Sequence, residues 1–161
     1  MATKSSKGRA SDGIERRSET SAGGIVWRRG GDRVEIVLVR PAGKDAWTLP
    51  KGQPVPGETL IETAARETRE ESGLEVTAGD KVGEIFYVFS WRETPGEPAV
   101  RIFKRVHYFL MEPRGGSLDA HDHEVDEARW FDLEEAEHTA SYKSDREIIV
   151  KARAMLTGET S

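Results

Sequence analysis

Residues 52–74 read Gly52-Gln-Pro-Val-Pro-Gly57-Glu58-Thr59-Leu60-Ile61-Glu62-Thr63-Ala64-Ala65-Arg66-Glu67-Thr68-Arg69-Glu70-Glu71-Ser72-Gly73-Leu74. Gly52, Pro54, Pro56 and Gly57 break any regular element and predict a loop. Thr59 and Glu62 have the spacing of a capping box, in which the hydroxyl accepts an orphan amide and the carboxylate reaches back. Gly73 suits the left-handed position that ends a helix. Between these signals Leu60, Ile61, Ala64 and Ala65 recur at helical spacing and predict a buried stripe. The other face carries Glu67, Glu70 and Glu71, one turn apart. Like charges so spaced cost roughly 0.2–0.5 kcal/mol per pair in an isolated helix. Arg66 offsets part of that, and a hard cation offsets more. Mg²⁺ takes oxygen ligands and is commonly held by one or two carboxylates plus substrate phosphates. A bare Glu-Glu pair is by default a solvated helix face, so the weight falls on the spacing of the whole stretch.

That spacing is G-x5-E-x7-R-E-U-x-E-E-x-G-U, where U is a bulky aliphatic residue, and it resembles the signature of the Nudix hydrolases. Gly52, Glu58, Arg66, Glu67, Glu70, Glu71, Gly73 and Leu74 match. Thr68 departs from the first U, at a position expected to face the core. Seven residues each met by chance about one time in ten make coincidence on the order of one in ten million per register.

The rest of the chain sets the bounds. Its 161 residues suit one domain with one hydrophobic core. Charged residues make up 33%, which predicts a well-solvated surface. A net charge of -5 offers no electrostatic case for nucleic acid. There is no cysteine, which excludes disulfides, thiolate zinc sites and cysteine nucleophiles and fits a cytoplasmic location. No apolar run reaches bilayer length, and the N-terminus lacks the apolar core of a signal peptide. Residues 1–18 are polar and locally basic and read as a flexible tail, leaving residues 19–161 as one domain.

Along that domain, Ser21–Trp27 reads as a strand, with Gly23 and Gly24 marking close backbone approach. Arg29–Asp32 is a hairpin-like turn and Val34–Val39 a second strand. Trp47–Lys51 is a short extended piece. Val82–Trp91 and Val100–Met111 are aromatic and β-branched strands around a turn at Glu93–Glu97. Pro113–His123 reads as a loop, Ala128–Phe131 as a short strand, and Asp132 as the start of a helical turn. Ser144 and Asp145 are cap candidates for a last helix, Arg146–Leu156. The elements do not alternate regularly, so a mixed sheet with helices on its faces is expected, and not a doubly wound parallel sheet.

The resemblance implies more. It covers about residues 20–157 and implies an α/β fold, a three-layer α/β/α sandwich. It implies cleavage of a pyrophosphate linkage in a nucleoside diphosphate derivative, with Mg²⁺, or Mn²⁺ in its place. By position, Glu67, Glu70 and Glu71 are the implied metal ligands, the Lys51 carbonyl a fourth. Arg66 would orient the carboxylates, Glu58 lie in the outer shell, and Glu70 or Glu71 activate water. Trp47-x-Leu49-Pro50-Lys51-Gly52, Phe103-Lys104-x-Val106-x-Tyr108-Phe109-Leu110-Met111 and Ser141-Tyr142-Lys143-x-Asp145-x-Glu147-Ile148 resemble the diadenosine polyphosphate (Ap4A-type) branch. In that branch Glu124 falls where an additional carboxylate often stands near the metals, against the plainer reading of an exposed loop acid.

A dinucleoside polyphosphate has two bases and a charged chain. Tyr87, Phe89 and Trp91 share a strand face, and with Tyr142 are candidates for base stacking; a core stripe is the plainer reading. Lys51, Lys104 and Lys143 are candidates for phosphate contacts. His107, His121, His123 and His138 show no metal spacing. The other expectations kept open are a MutT-like hydrolase of oxidised (d)NTPs, an ADP-ribose or nucleotide-sugar pyrophosphatase, and a nucleotide-sensing module without activity. The implied partner is a small nucleotide, with no nucleic acid and no membrane.

Overall fold

A computed structural model describes residues 6–9 and 13–158. The strands are β1 (Ser6–Arg9), β2 (Glu15–Gly30), β3 (Arg33–Pro41), β4 (Lys51–Gly52), β5 (Leu74–Trp91), β6 (Val100–Gly116) and β7 (Val125–Asp132). The helices are α1 (Leu60–Ser72), α2 (Leu133–Thr139) and α3 (Lys143–Thr157). One mixed sheet runs β5-β6-β2-β3-β7, with β1 and β4 also paired to β2. The β2–β6 pair is parallel and the other pairs antiparallel.

Alternation along the strands makes the sandwich. Ile25, Ile36, Leu38, Ile85, Val106 and Tyr108 face α2 and α3, meeting Leu133, Ile148, Ile149 and Ala152. Their strand neighbours Val26, Val37, Val39 and Met111 face the other way, onto Ala64 of α1. A period of two places each set on its own side, and helices cover both. This is the expected three-layer α/β/α arrangement.

Several boundaries differ from expectation. β5 begins at Leu74, directly after α1, and β6 continues to Gly116. The added stretches pair with each other, and a register shift beside Val76 accommodates Pro113. Glu15–Ser18 belong to β2, whose backbone pairs with Arg101–Phe103 from residue 16 onward. The expected tail boundary at residue 18 thus falls inside a strand; residues 1–5 and 10–12 lie outside the described residues. The last helix starts at Lys143 with Tyr142 as its N-cap and no side-chain cap bond; the expected cap candidates Ser144 and Asp145 lie inside its first turn, and Asp145 is buried.

Helix α1 has the expected ends. Thr59 and Glu62 form both halves of the capping box, and Gly73 closes the helix at φ 80°. Its buried stripe differs. Ile61 is exposed, whereas Thr63, Ala64, Thr68 and Ser72 are buried. Small side chains there let the helix lie close against β2. Among the described residues no helix is long and apolar enough to cross a membrane.

Candidate metal centre and substrate cleft

Helix geometry splits the acidic face into two stripes, because i,i+4 pairs stack one above the other. Arg66 and Glu70 form one stripe, and Glu67 and Glu71 the next. Arg66 Nη1 donates to both Glu70 oxygens, at 2.9 and 3.2 Å. Its Nε and Nη2 fork onto Glu58 at 2.6 and 3.0 Å, and Nη2 also reaches the Gln53 carbonyl at 3.0 Å. Arg66 therefore ties the loop to the helix. The same fork holds the Glu58 carboxyl down to about 2, despite partial burial.

The second stripe is short of positive partners. Glu67 has Arg66 at 3.5 Å. Glu71 accepts only the Lys51 amide, at 3.3 Å, among the hydrogen bonds found for it. Burial, then the charge of Glu67, pushes the Glu71 carboxyl up to about 8. Glu67 is also raised, by burial first and by Glu70 and Glu124 against the pull of Arg66.

Glu124 joins this pair. Carboxylate oxygens of Glu67, Glu71 and Glu124 lie within 4.8 Å of one another. The loop that carries Glu124 is pinned at two points: Asp122 N donates to the Glu70 carbonyl at 2.8 Å, and Ala42 N to the Glu124 carbonyl at 2.9 Å. Glu70, expected among the ligands, is engaged with Arg66 instead. Three carboxylates converging in this way make an all-oxygen donor set that fits a hard divalent ion such as Mg²⁺.

Beside this cluster a cleft of about 550 Å³ is lined by Lys44, Lys51, Tyr87, Phe89, Tyr142 and Lys143, with Ile85, Ser144 and Asp145. Five of the seven expected substrate contacts are thus brought together, although 36–92 residues separate Lys51 from the others in the chain. Of the other two, Trp91 lies outside this cleft, and Lys104 is the cross-strand neighbour of both Tyr87 and Glu19. Its ammonium is lowered by burial and by the charge of Lys51, and is partly sustained by Glu19 at 3.7 Å.

Two pins shape the cleft. Trp47 N donates to Ser141 Oγ at 2.9 Å, and Ser141 N to the Trp47 carbonyl at 3.0 Å. This joins the segment before Lys51 to the segment that carries Tyr142 and Lys143. Asp145, 3% exposed, accepts the Leu49 amide at 3.3 Å and the Tyr108 hydroxyl at 3.4 Å. Burial raises its carboxyl, against the pull of Lys51 and of those two hydrogen bonds. Asp145 as a pin and Glu19 as the partner of Lys104 had no reading in the sequence. Nothing local signals them, because each depends on strand register.

The family model described as NUDIX domain matches residues 17–152. The chain is 36% identical over 136 residues to mutator protein MutT4 of Mycobacterium tuberculosis, across 81% of this chain and 52% of that protein. It is 30% identical over 138 residues to an 8-oxo-(d)GTP phosphatase of Mycolicibacterium smegmatis, across 80% of this chain and 39% of that protein. It therefore spans about half of the first and two fifths of the second. It is 34% identical over 112 residues to the asymmetrical bis(5'-nucleosyl)-tetraphosphatase of Mus musculus, across 68% of this chain and 72% of that protein. Among solved structures, a Caenorhabditis elegans Ap4A hydrolase binary complex superposes with a TM-score of 0.67 and 28% identity, over 87% of this chain and 98% of that one. With residues 17–152 inside the family model and the box carboxylates gathered beside a nucleotide-sized cleft, this chain belongs to the Nudix hydrolase family.

Proposed function

We propose that the chain is a Mg²⁺-dependent pyrophosphohydrolase that cleaves dinucleoside polyphosphates, diadenosine tetraphosphate and longer, by attack of water on phosphorus. Lys51 carries this reading: its amide holds Glu71 of the acidic cluster while its side chain lines the aromatic cleft. Phosphate bound to that ammonium would lie between a cation site and base-stacking side chains.

Glu67, Glu71 and Glu124 are the proposed cation ligands, with the Lys51 carbonyl as a further donor. A divalent cation held there supplies the charge that draws in phosphates and stabilises the attacked phosphorus. Lys51, Lys104 and Lys143 bind the polyphosphate, and Tyr87, Phe89 and Tyr142 stack a base. Arg66 positions Glu58 and Glu70. Glu70, outside the cluster and about one third exposed, is the proposed acceptor of the water proton. A water oxygen–phosphorus bond forms, a phosphoanhydride bond breaks, and the leaving phosphate departs with the electron pair. The compartment proposed is the cytoplasm, with which a chain without cysteine is compatible.

The 34% identity to a tetraphosphatase and the 28% identity to an Ap4A hydrolase support this substrate. The mycobacterial relatives favour a second reading, an oxidised (d)NTP pyrophosphohydrolase. Product identification by mass separates the two. Diadenosine tetraphosphate yielding ATP and AMP supports the first; dGTP yielding dGMP and pyrophosphate supports the second. Glu70→Gln and Glu71→Gln should each lower turnover by about 10²–10⁴-fold without unfolding the protein. Near-normal turnover in both would remove the proposed chemistry.

A further inference from the structure

Three recesses follow one another along β5. The substrate cleft ends at Phe89, which it shares with a recess of about 210 Å³ completed by Arg17, Glu19, Trp91 and Ile102. Arg17 and Trp91 are shared in turn with a third, of about 280 Å³, whose acidic residues are Glu15, Glu93 and Glu97. Register explains the series. Tyr87, Phe89 and Trp91 are alternate residues opposite Lys104, Ile102 and Val100 of β6. Glu19 and Arg17 of β2 stand beside Lys104 and Ile102. At about 3.3 Å per residue, Trp91 lies roughly 13 Å beyond Tyr87.

This far end is open and chemically distinct. Phe89 and Trp91 are 38% and 44% exposed, while Ile85 and Ile102 on the same sheet face are buried. Arg17 Nη2 holds Glu15 at 3.3 Å, yet its Nε is buried without a hydrogen-bond partner. A buried unsatisfied donor costs about 1–3 kcal/mol. Charge divides the groove as well. Lys51 and Lys143 line the metal end, the Lys104–Glu19 pair lies between the ends, and Arg17 stands among Glu15, Glu93 and Glu97 at the other. Phosphate suits the first end, where lysines face the cation site, better than the second, where carboxylates outnumber Arg17. A neutral base and its sugar suit the second, since indole and guanidinium planes stack on a base and carboxylates accept from hydroxyl and N–H groups.

We propose that Arg17, Phe89 and Trp91 form a second base subsite, which holds the far nucleoside of a dinucleoside polyphosphate and which a mononucleotide does not reach. The inference rests on the substrate reading given above. The site makes length discrimination a property of the sheet: a two-base substrate spans both ends of the groove.

The test is steady-state kinetics with diadenosine tetraphosphate and adenosine 5'-tetraphosphate, which differ by one nucleoside. Trp91→Ala should raise KM for the dinucleotide about 5- to 150-fold, the range of one base stack, and shift KM for the mononucleotide far less. Trp91→Phe should restore most of the difference. Arg17→Gln should show the same selectivity and carries the test should Trp91→Ala not fold. An enzyme that cleaves the dinucleotide yet shows an unchanged KM ratio in Trp91→Ala and Arg17→Gln overturns the subsite alone. A wild-type protein that ignores the dinucleotide and cleaves dGTP overturns the substrate reading and this subsite together.

Discussion

Gly52 and Glu67 compete for one small volume: a Cβ on Gly52 would lie 1.8 Å from Glu67 Oε2 and 2.1 Å from its carboxyl carbon. The glycine on β4 thus makes room for a carboxylate of the cluster. Gly52→Ala must push that carboxylate aside. The expected result is a loss of Mg²⁺ or Mn²⁺ affinity of about 10- to 100-fold, as for residues that orient metal ligands. Calorimetric metal titration beside a thermal melt checks it, and unchanged affinity would contradict the geometry.

Thr68 is fully buried and its Oγ1 has no hydrogen-bond partner. The same position carries a bulky aliphatic residue in the family signature. Thr68→Val keeps the shape and removes the orphan hydroxyl. Stability should rise by about 1 kcal/mol, or about 2–4 °C in Tm for a chain of this size. A lower Tm would mean that the hydroxyl has a partner in solution.

The cluster should report pH. The Glu71 carboxyl moves from its ordinary 4.5 up to about 8 in the folded chain. Between those values the folded state holds a proton that the unfolded chain has released. Stability of the cation-free protein therefore falls as pH rises from about 4.5 to about 8. A cation must displace that proton, so Mg²⁺ affinity should climb by up to about tenfold per pH unit and level off above about pH 8. Glu58 acts at the other extreme. Its carboxyl is lowered to about 2, so its contribution is present above about 4.5 and is lost as pH falls toward 2. Melts with chelator and metal titrations across this range check both directions.

Arg66 holds Glu58 and Glu70 with separate edges of one guanidinium. Arg66→Lys keeps the charge and loses the fork. Turnover should drop at least about tenfold, with about 1–3 kcal/mol lost in stability. A fully active lysine variant would show that charge alone suffices.

Asp145 joins α3 to Leu49 and Tyr108 across the cleft wall. Asp145→Ala leaves two buried donors unmet and should destabilise by about 2–4 kcal/mol. Asp145→Asn retains an acceptor and should cost less. Denaturant unfolding of the two variants ranks them.

The length of α1 and both of its ends were legible because capping is local: Thr59, Glu62 and Gly73 act on atoms within a few residues. Its buried face was not. Ile61 fits the helical period yet points outward, because the surface that receives α1 admits only small side chains. Likewise Pro113 reads as a loop residue until its β5 partners are known.

The identity of the chemistry lies in the sequence itself. Arg66, Glu67, Glu70 and Glu71 sit at fixed offsets on one helix, so their shared face follows from 3.6 residues per turn. Their division of labour does not follow. Which carboxylate turns to Arg66, and whether Glu124, a candidate by resemblance, meets Glu67 and Glu71 or stays an exposed loop acid, depends on a loop pinned to the Glu70 carbonyl from 52 residues away. The groove is further still from sequence reach. Arg17, Ile102 and Phe89 become one row only through parallel β2–β6 and antiparallel β5–β6 pairing together, and register is set by burial of the whole sheet.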